Sequence, residues 1–500
     1  MVNRSLFLAV MACCCLAVKV SSSVPPQAQG ETAQVQYQAL RKLSDQLAKF
    51  KGKLEEDKTD PARLFYRIKF DGYKLKPVYL AELRPILLDV KDSIELFLDN
   101  NCTTDADLAQ LKDLTCIRRL GLYADKVTNA GLEHLWGLEN LEVLHIASDN
   151  ITNAGLTHVA KLTKLRDLSV SSKSVTAAAH NHLTGLKDLE KLSVGTIISL
   201  VGDAELAQMK AMKKLRVLRI GGRNLTDTGM GQLGDFFPEL RELYISGRGN
   251  KLTKAGLDRL AGLKNLERLT MISCAAVEGD GLAVVPALTN LRRLDISAPK
   301  VADRNGPGTQ ISMSHVDQQT VRYIGQIRTL EHLRLHEADD RLLMGISGMA
   351  GLKELDLSGT QVGNLGMRHL SGLKFLRTLN LSNTSVTDNG VLLLGGLTQL
   401  ESLDLGQPGK SGVAVKFLGK KEGGLTDDGL KHLSGMTDLK TLNLAGSKIT
   451  GPGLKHLTFL PDMKSARSLK AGDQVTIYGQ CRSLGTSVSL FPCLPIKKEP

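Results

Sequence analysis

The chain of 500 residues sets 64 lysines and arginines against 52 aspartates and glutamates, a formal net charge of +12, and only 4% of it is aromatic, with Trp136 the single tryptophan. Its basic residues are spread out without interleaved aromatic rings on which bases could stack. This sets nucleic acid aside and leaves acidic proteins, anionic polysaccharide or lipid headgroups as the partners such a charge attracts. The five cysteines beyond residue 23 (Cys102, Cys116, Cys274, Cys481 and Cys493) are odd in number and contain no Cys-x-x-Cys pair, which argues against a dense disulfide framework and against a zinc site. Cys102 with Cys116, and Cys481 with Cys493, could each close a bridge in an oxidising compartment.

In chain order, residues 1–23 read as a signal peptide: a positive charge at Arg4, an apolar run from Leu6 to Val18, and small residues for cleavage at Ser21 to Ser23. The run is too short to span a bilayer, and no later stretch reaches the ~20 apolar residues required. Val10-Met11-Ala12-Cys13 resembles a bacterial lipoprotein box, with Val10 where leucine is preferred and Met11 where a smaller residue is preferred. Removal of the segment and acylation of Cys13 both remain open. Either way the protein is placed outside the cytoplasm, secreted, periplasmic or at the cell envelope, with a lipid anchor in the second case.

Residues 24–90 are read as a helical amino-terminal cap. Over 31–60, Tyr37, Leu40, Leu43, Leu47, Phe50 and Leu54 recur at three- and four-residue steps, which predicts one amphipathic helix ending before Asp60-Pro61. Leu64, Phe65, Tyr66, Ile68 and Phe70 follow, apolar enough to cover the open end of a stacked array.

Over residues 91–460 the chain rewrites one unit roughly every 24 residues. Clear copies are Leu138 to Gly155 (LENLEVLHIASDNITNAG), Leu373 to Gly390 (LKFLRTLNLSNTSVTDNG) and Met436 to Gly453 (MTDLKTLNLAGSKITGPG). The third leucine of the unit falls at Leu120, Leu144, Leu168 and Leu192, then at Leu218, Leu243, Leu269, Leu294, Leu333, Leu355, Leu379, Leu403 and Leu442. Two of the steps, Leu294 to Leu333 and Leu403 to Leu442, are 39 residues long. They hold insertions near 302–320 and 407–424, each directly after a strand, so both loops should leave the same rim. Within a unit, Leu379-Asn380-Leu381 predicts a short strand with its leucines inward and Asn380 outward. Ser385 to Asp388 then turns the chain, and Thr387 or Asp388 can cap a helix beginning near Gly390. Stacking such units predicts an α/β solenoid, a horseshoe with parallel strands on the concave face and helices on the convex face. The pattern fails after Leu457, and residues 461–500 read as a carboxy-terminal cap, a loose tail or a divergent segment.

The unit Leu-x-x-Leu-x-x-Leu-x-Leu-x-x-(Thr/Ser/Cys)-x-x-(Ile/Val)-Thr-Asp-x-Gly-Leu-x-x-Leu resembles the leucine-rich repeats of the cysteine-containing and ribonuclease-inhibitor-like classes. Such arrays occur in exported bacterial repeat proteins of the planctomycete type and in F-box substrate receptors. The resemblance covers roughly residues 90–460 and specifies fold rather than function. It implies that the residues at the class's cysteine position, Asp125, Asp149, Thr360, Thr384 and Ser447, hydrogen-bond the turn backbone. Cys274 is the one match there and is read as structural. No F-box precedes the array, and an export signal belongs to the opposite compartment.

His134, His369, His432 and His456 recur in Gly-(Leu/Met)-x-His-Leu at one equivalent helical position, as scaffold residues do. Gly409-Lys410-Ser411 resembles the end of a phosphate loop, but Asp404 stands where the first glycine is needed. Glycosylation triplets begin at Asn101, Asn150, Asn224, Asn380 and Asn383 and matter only in a eukaryotic source. No catalytic constellation, metal ligand set or cofactor site is expected. Concave positions carry Arg219, Tyr244, Arg268, Arg293, Asp295, His332, Arg334 and His336 in mid-array, and Asp356, Asn380, Asp404 and Asn443 in the last third. Arginine and tyrosine make anchoring contacts at interfaces. The sequence therefore predicts a non-catalytic, exported scaffold that binds a protein with an acidic patch, or a polysaccharide, on its concave face. An F-box-like ubiquitin-ligase adaptor and a purely structural envelope component are the alternatives.

Overall fold

The structure, a computed structural model, describes residues 31–58, 64–70, 77–91, 93–99, 103–194, 201–221, 224–246, 251–272, 274, 277, 279–297, 316–336, 338–407, 425–449, 451–457, 477–480 and 487–490. The signal segment with Cys13, Asn101, Cys102, most of both insertions, Gly409 to Ser411, Cys481 and Cys493 lie outside the described residues. The chain divides into two compact units, Met1–Ser199 and Leu200–Pro500. No helix among the described residues is long and apolar enough to cross a membrane.

The first unit opens with α1 (Glu31–Lys49), which buries Ala39, Leu43 and Leu47 at a four-residue stride. The helix is shorter than its apolar spacing predicts. Lys51 adopts a left-handed φ of 59°, and the chain passes into β1 (Gly52–Asp57), so Leu54 belongs to a strand. Phe50 instead stacks on Tyr79 of α2 (Pro77–Asp89), ring centroids 4.2 Å apart. β1 pairs antiparallel with β2 (Phe65–Phe70). Then β3 (Ser93–Asp99), β4 (Ile117–Tyr123), β5 (Val143–Ala147), β6 (Asp167–Ser171) and β7 (Lys191–Val194) each add in parallel.

In the second unit β8 (Val217–Gly221), β9 (Glu242–Ser246), β10 (Arg268–Ile272), β11 (Arg293–Ser297) and β12 (His332–Leu335) form a parallel run. Shorter strands continue it: β13 (Glu354–Asp356), β14 (Thr378–Asn380), β15 (Ser402–Asp404) and β16 (Thr441–Asn443). β17 (Ile477–Gln480) and β18 (Ser487–Leu490) make a separate antiparallel pair. Each unit is thus a stretch of leucine-rich α/β solenoid, its strands on one face and its helices and helical turns on the other. The third leucines are direct register partners, Leu120 to Leu192 in the first unit and Leu218 to Leu442 in the second, all buried. The first insertion is shorter than the sequence suggests. Asp317 caps α4 (Gln318–Ile324), whose Val321 and Ile324 are core, so residues 316–320 already belong to the next repeat.

Repeats are joined by a side-chain ladder. A threonine with extended backbone caps many of the helical segments, as at Thr128, Thr152, Thr226 and Thr426. The residue after it serves the following repeat instead of its own helix. Asp105 Oδ1 accepts the Thr128 amide at 2.8 Å and Oδ2 its hydroxyl at 2.6 Å. Asp203 treats Thr226 in the same way, Asp227 treats Thr253, and Asp388 treats Thr426 across an insertion. Where asparagine stands, the direction reverses at the hydroxyl: Asn129 Nδ2 donates to Thr152 Oγ1 at 2.8 Å while Oδ1 accepts the Thr152 amide. A carboxylate held there also meets the positive end of the helix it caps. The device accounts for the glycine that stands three residues after most of these threonines. A Cβ on Gly131, Gly229, Gly256 or Gly429 would lie 2.2–2.3 Å from the Oδ1 of the capping aspartate.

At the family's cysteine position, Thr360 and Thr384 are buried and donate to the Leu357 and Leu381 carbonyls at 2.6 Å. In the first unit this role falls one residue earlier than the sequence alignment places it. Ser148 and Ser172, both buried, donate to the Val127 and Ile151 carbonyls, while Asp125 and Asp149 are exposed and Asp149 Oδ1 accepts the Lys173 amide at 3.1 Å. Cys274 is a buried thiol in no disulfide among the described residues.

Two glycines of α3 (Asp227–Phe236) separate the ladder from ordinary helix propensity. Gly231 has nothing within 4 Å of an added Cβ, so Gly231→Ala should raise stability by up to ~1 kcal/mol. Gly229→Ala should lower it by about 1–3 kcal/mol, because the methyl displaces Asp203. Urea unfolding midpoints that move in the same direction for both variants would remove the ladder as the reason for the glycine.

Candidate functional site

Alternation sends the residues between the inward leucines outward, and the register sorts them into rows. Arg219, Tyr244, Thr270, Asp295, Arg334, Asp356, Asn380, Asp404 and Asn443 form one row of the second unit. Glu242, Arg268, Arg293, His332 and Glu354 lie side by side in the row before it. His336 lies beyond the end of β12, its amide bonded to the Ile296 carbonyl at 3.3 Å. The eight residues that the sequence singles out therefore share the strand face of this unit but occupy three rows.

Most of their charge is balanced from within. Arg268 Nη1 reaches Glu242 at 3.3 Å, and Arg334 Nε reaches Asp356 at 3.0 Å. Glu354 takes both Arg293, at 3.3 Å, and His332 Nδ1, at 2.6 Å. Sequence reasoning missed Glu242 and Glu354, whose partners stand 22 to 61 residues away. Only the parallel register could have revealed them. Arg219 differs, its guanidinium lying over the Tyr244 ring, 5.3 Å from the centroid.

The central row divides by use. Asp356, Asn380, Asp404 and Asn443 each accept the amide two residues on, at 2.9–3.0 Å, closing a turn that ends the strand. That is why β13 to β16 are only three residues long, while β8 to β11 have five. In the longer strands the same positions carry Arg219, Tyr244, Thr270 and Asp295, and in β12 Arg334, without such a turn among the described residues.

Burial raises the pKa of Asp295, and the Asp356 charge adds to this, against the lowering by Arg334 and Arg293; its Oδ1 is buried without a hydrogen-bond partner among the described residues. Burial likewise raises the Tyr244 phenol, with the Asp295 charge adding and Arg219 opposing. These two groups are desolvated by the face they stand on.

On the first unit the same alternation sends Arg67, Glu95 and Arg119 outward in one row, with Glu95 buried between its neighbours, and half-buried Phe97 in the next, with Tyr123 two residues beyond Gly121. The sequence reading, drawn to the basic residues of mid-array, did not single them out.

The recurrent histidines all sit on the helical side, His134 in the turn His134–Gly137, His369 just past Asn364–Met367, His432 in Lys431–Leu433 and His456 in Gly451–Leu457. Among the described residues no group of three or more histidine, cysteine or acidic side chains could hold a metal ion. Cys116 is not half of a bridge. It is a free, buried thiol 3.3 Å from the Leu87 carbonyl, with a pKa pushed up to about 12 by burial. Asn380 lies on β14 with its Oδ1 engaged by Ser382, a poor acceptor for a glycan.

A family model described as a leucine-rich repeat region matches residues 93–348. No curated protein matches the sequence significantly. Among solved structures, an internalin from Listeria monocytogenes is 18% identical, with 77% of the present chain and 93% of the internalin covered and a TM-score of 0.39. A leucine-rich repeat protein from Leptospira interrogans is 17% identical, with coverages of 75% and 89% and a TM-score of 0.41.

The raised Asp295 pKa gives a pH-dependent expectation. A carboxyl whose folded pKa lies above its unfolded value favours folding fully below the unfolded value and loses that contribution as pH rises through the folded one. Asp295→Asn should therefore unfold at higher urea than wild type at pH 7, and the difference should vanish below about pH 4. A variant less stable than wild type at pH 7 would show that Asp295 is well paired after all.

Proposed function

The chain belongs to the leucine-rich repeat proteins, as the match over residues 93–348 establishes, and on that premise we propose that it is a non-catalytic, exported scaffold. In this reading a protein partner docks on the strand face of the second unit, across β8 to β12. One observation carries it. The outward side chains of β13 to β16 are consumed by the turns that end those strands, whereas Arg219, Tyr244, Thr270, Asp295 and Arg334 hold large or polar groups in a row where the fold asks only for a small turn-former.

Tyr244 is the anchor, a half-buried ring stiffened by Arg219. The Arg219 guanidinium, which has no ion pair among the described residues, faces an acidic group of the partner, and Asp295 gains a donor for its unpartnered oxygen. Arg268, Arg293 and Arg334 contribute after exchanging their present carboxylates, a small cost because exposed pairs are worth about 0–1 kcal/mol. Export rests on the apolar run and small residues of the first 23 positions. An F-box-like adaptor would work inside the cell, and a purely structural envelope component would need no partner on this face.

The full chain, isolated after cross-linking in its source cells, tests the reading. The mature protein should begin at residue 24 or carry an acyl group on Cys13, and Arg219→Ala with Tyr244→Ala should cut capture of its cross-linked protein about tenfold or more. Asp404→Ala, which removes a turn bond worth roughly 1 kcal/mol, should capture that protein as wild type does. Retention of Met1 or Val2 would favour the adaptor, and equal capture by the double variant would remove the strand face of β8 to β12 as the docking surface.

A further inference from the structure

A second surface, on the strand face of the first unit, has a different chemistry. Phe97 on β3 and Tyr123 on β4 are half-buried rings with centroids 6.5 Å apart and planes within 20° of each other. They share one seat. A Cβ on Gly121 would lie 2.4 Å from Phe97 Cδ1 and 3.1 Å from Tyr123 Cε2, so the absence of a side chain at Gly121 lets both rings settle over β4. The row that begins at Phe97 runs on through Gly121, His145 and Ser169 to Ser193. Four strand spacings make it roughly 19 Å long.

Beyond the rings this row is polar and low. His145 Nε2 stands 3.2 Å from Asp167, and the Ser169 and Ser193 hydroxyls make no side-chain hydrogen bond among the described residues. Charge on this face is closed on itself. Arg67 is held between Asp57, at 2.9 Å, and Glu95, at 2.8 Å. Arg119 reaches Asp57 at 3.4 Å while its guanidinium covers Phe65, and Lys191 stands 3.8 Å from Asp167. Such a face offers an anion little.

We propose that the strand face of the first unit binds a neutral oligosaccharide, one pyranose ring resting on the Phe97–Tyr123 pair and the following sugars laying their hydroxyls along His145, Asp167, Ser169 and Ser193. An aromatic ring presents an apolar face to the C–H groups of a sugar ring, while imidazole, carboxylate and serine hydroxyls both donate and accept, as a polyol requires. A protein partner would instead look for a well-packed pocket to receive an anchoring side chain. Serines on a sheet do not build one. The site is separate from the protein-docking surface of the second unit and does not depend on it.

The test is calorimetric titration of the full chain with cellohexaose, chitohexaose and maltohexaose, each to about 10 mM, an upper limit that still detects weak binding. At least one of the three should bind. Tyr123→Ala should weaken that binding about tenfold. Gly121→Ala, which pushes Phe97 off its seat, and His145→Ala, which removes no core packing, should each weaken it several-fold, with circular dichroism unchanged for His145→Ala. Tyr244→Ala should bind as wild type does. Absence of binding to all three sugars would overturn the proposal. So would wild-type affinity in His145→Ala together with Tyr123→Ala or Gly121→Ala, and so would weakened binding by Tyr244→Ala, which would place the sugar on the second unit.

Discussion

One hydrogen-bonded contact sets the pitch of this protein: the Asp or Asn that follows a capping threonine reaches forward and caps the threonine of the next repeat. A helical segment of one or two turns has too few internal bonds to stand alone. Here the threonine hydroxyl accepts the amide two residues on, and a carboxylate or amide from the repeat before accepts the amide of the threonine itself. At most repeats glycine leaves room for this contact, so threonine, Asx and glycine act as one device spread over two repeats, while Ala179 stands in the glycine position where Asn153 holds Thr176. Where the device lapses the chain finds substitutes. Thr176 is followed by Ala177, and Thr253 by Lys254, neither able to accept. Asp317 instead caps its own helix and accepts the Gly279 amide of the preceding repeat.

The ladder frees the opposite face. Because the repeats are registered by leucines inside and by caps on the helical side, the outward residues of the strands are not needed to hold neighbours together. In the last four strands those positions are nevertheless spent on turns, whereas in β8 to β12 they carry bulk and charge. On the proposed reading, the compensation of Arg268, Arg293 and Arg334 by carboxylates of neighbouring strands has a functional sense. A net charge of +12 would attract any anion, while paired guanidiniums yield only to a partner that brings both an acid and the right geometry.

Much of this was legible in the sequence, for a physical reason: a period written thirteen times averages out local ambiguity. Every third leucine from Leu120 to Leu442 is a register partner of the next within its unit, and the histidines of Gly-(Leu/Met)-x-His-Leu do share the helical side. What escaped is non-periodic or reaches across repeats. The helix over 31–60 stopped at Lys49 because Lys51 turns left-handed and β1 is recruited by β2. Asp388 looked like a cap for its own helix, but its partner, Thr426, stands 38 residues on. Glu354 was invisible as the counter-charge of Arg293 because 61 residues separate them. Phe97 and Tyr123 carry no charge to mark them, although the same alternation that sends Arg219 outward sends them outward too.

The forward direction of the ladder is the claim on which the rest leans, and amide hydrogen exchange on an Asp388→Ala variant measures it most directly. The account predicts faster exchange in the following helical segment, from Thr426 through Leu433, with the segment from Asn364 to Leu370 in the preceding repeat as protected as in wild type. Equal loss of protection on both sides, or none on either, would mean that neighbouring repeats are joined by their leucine core alone.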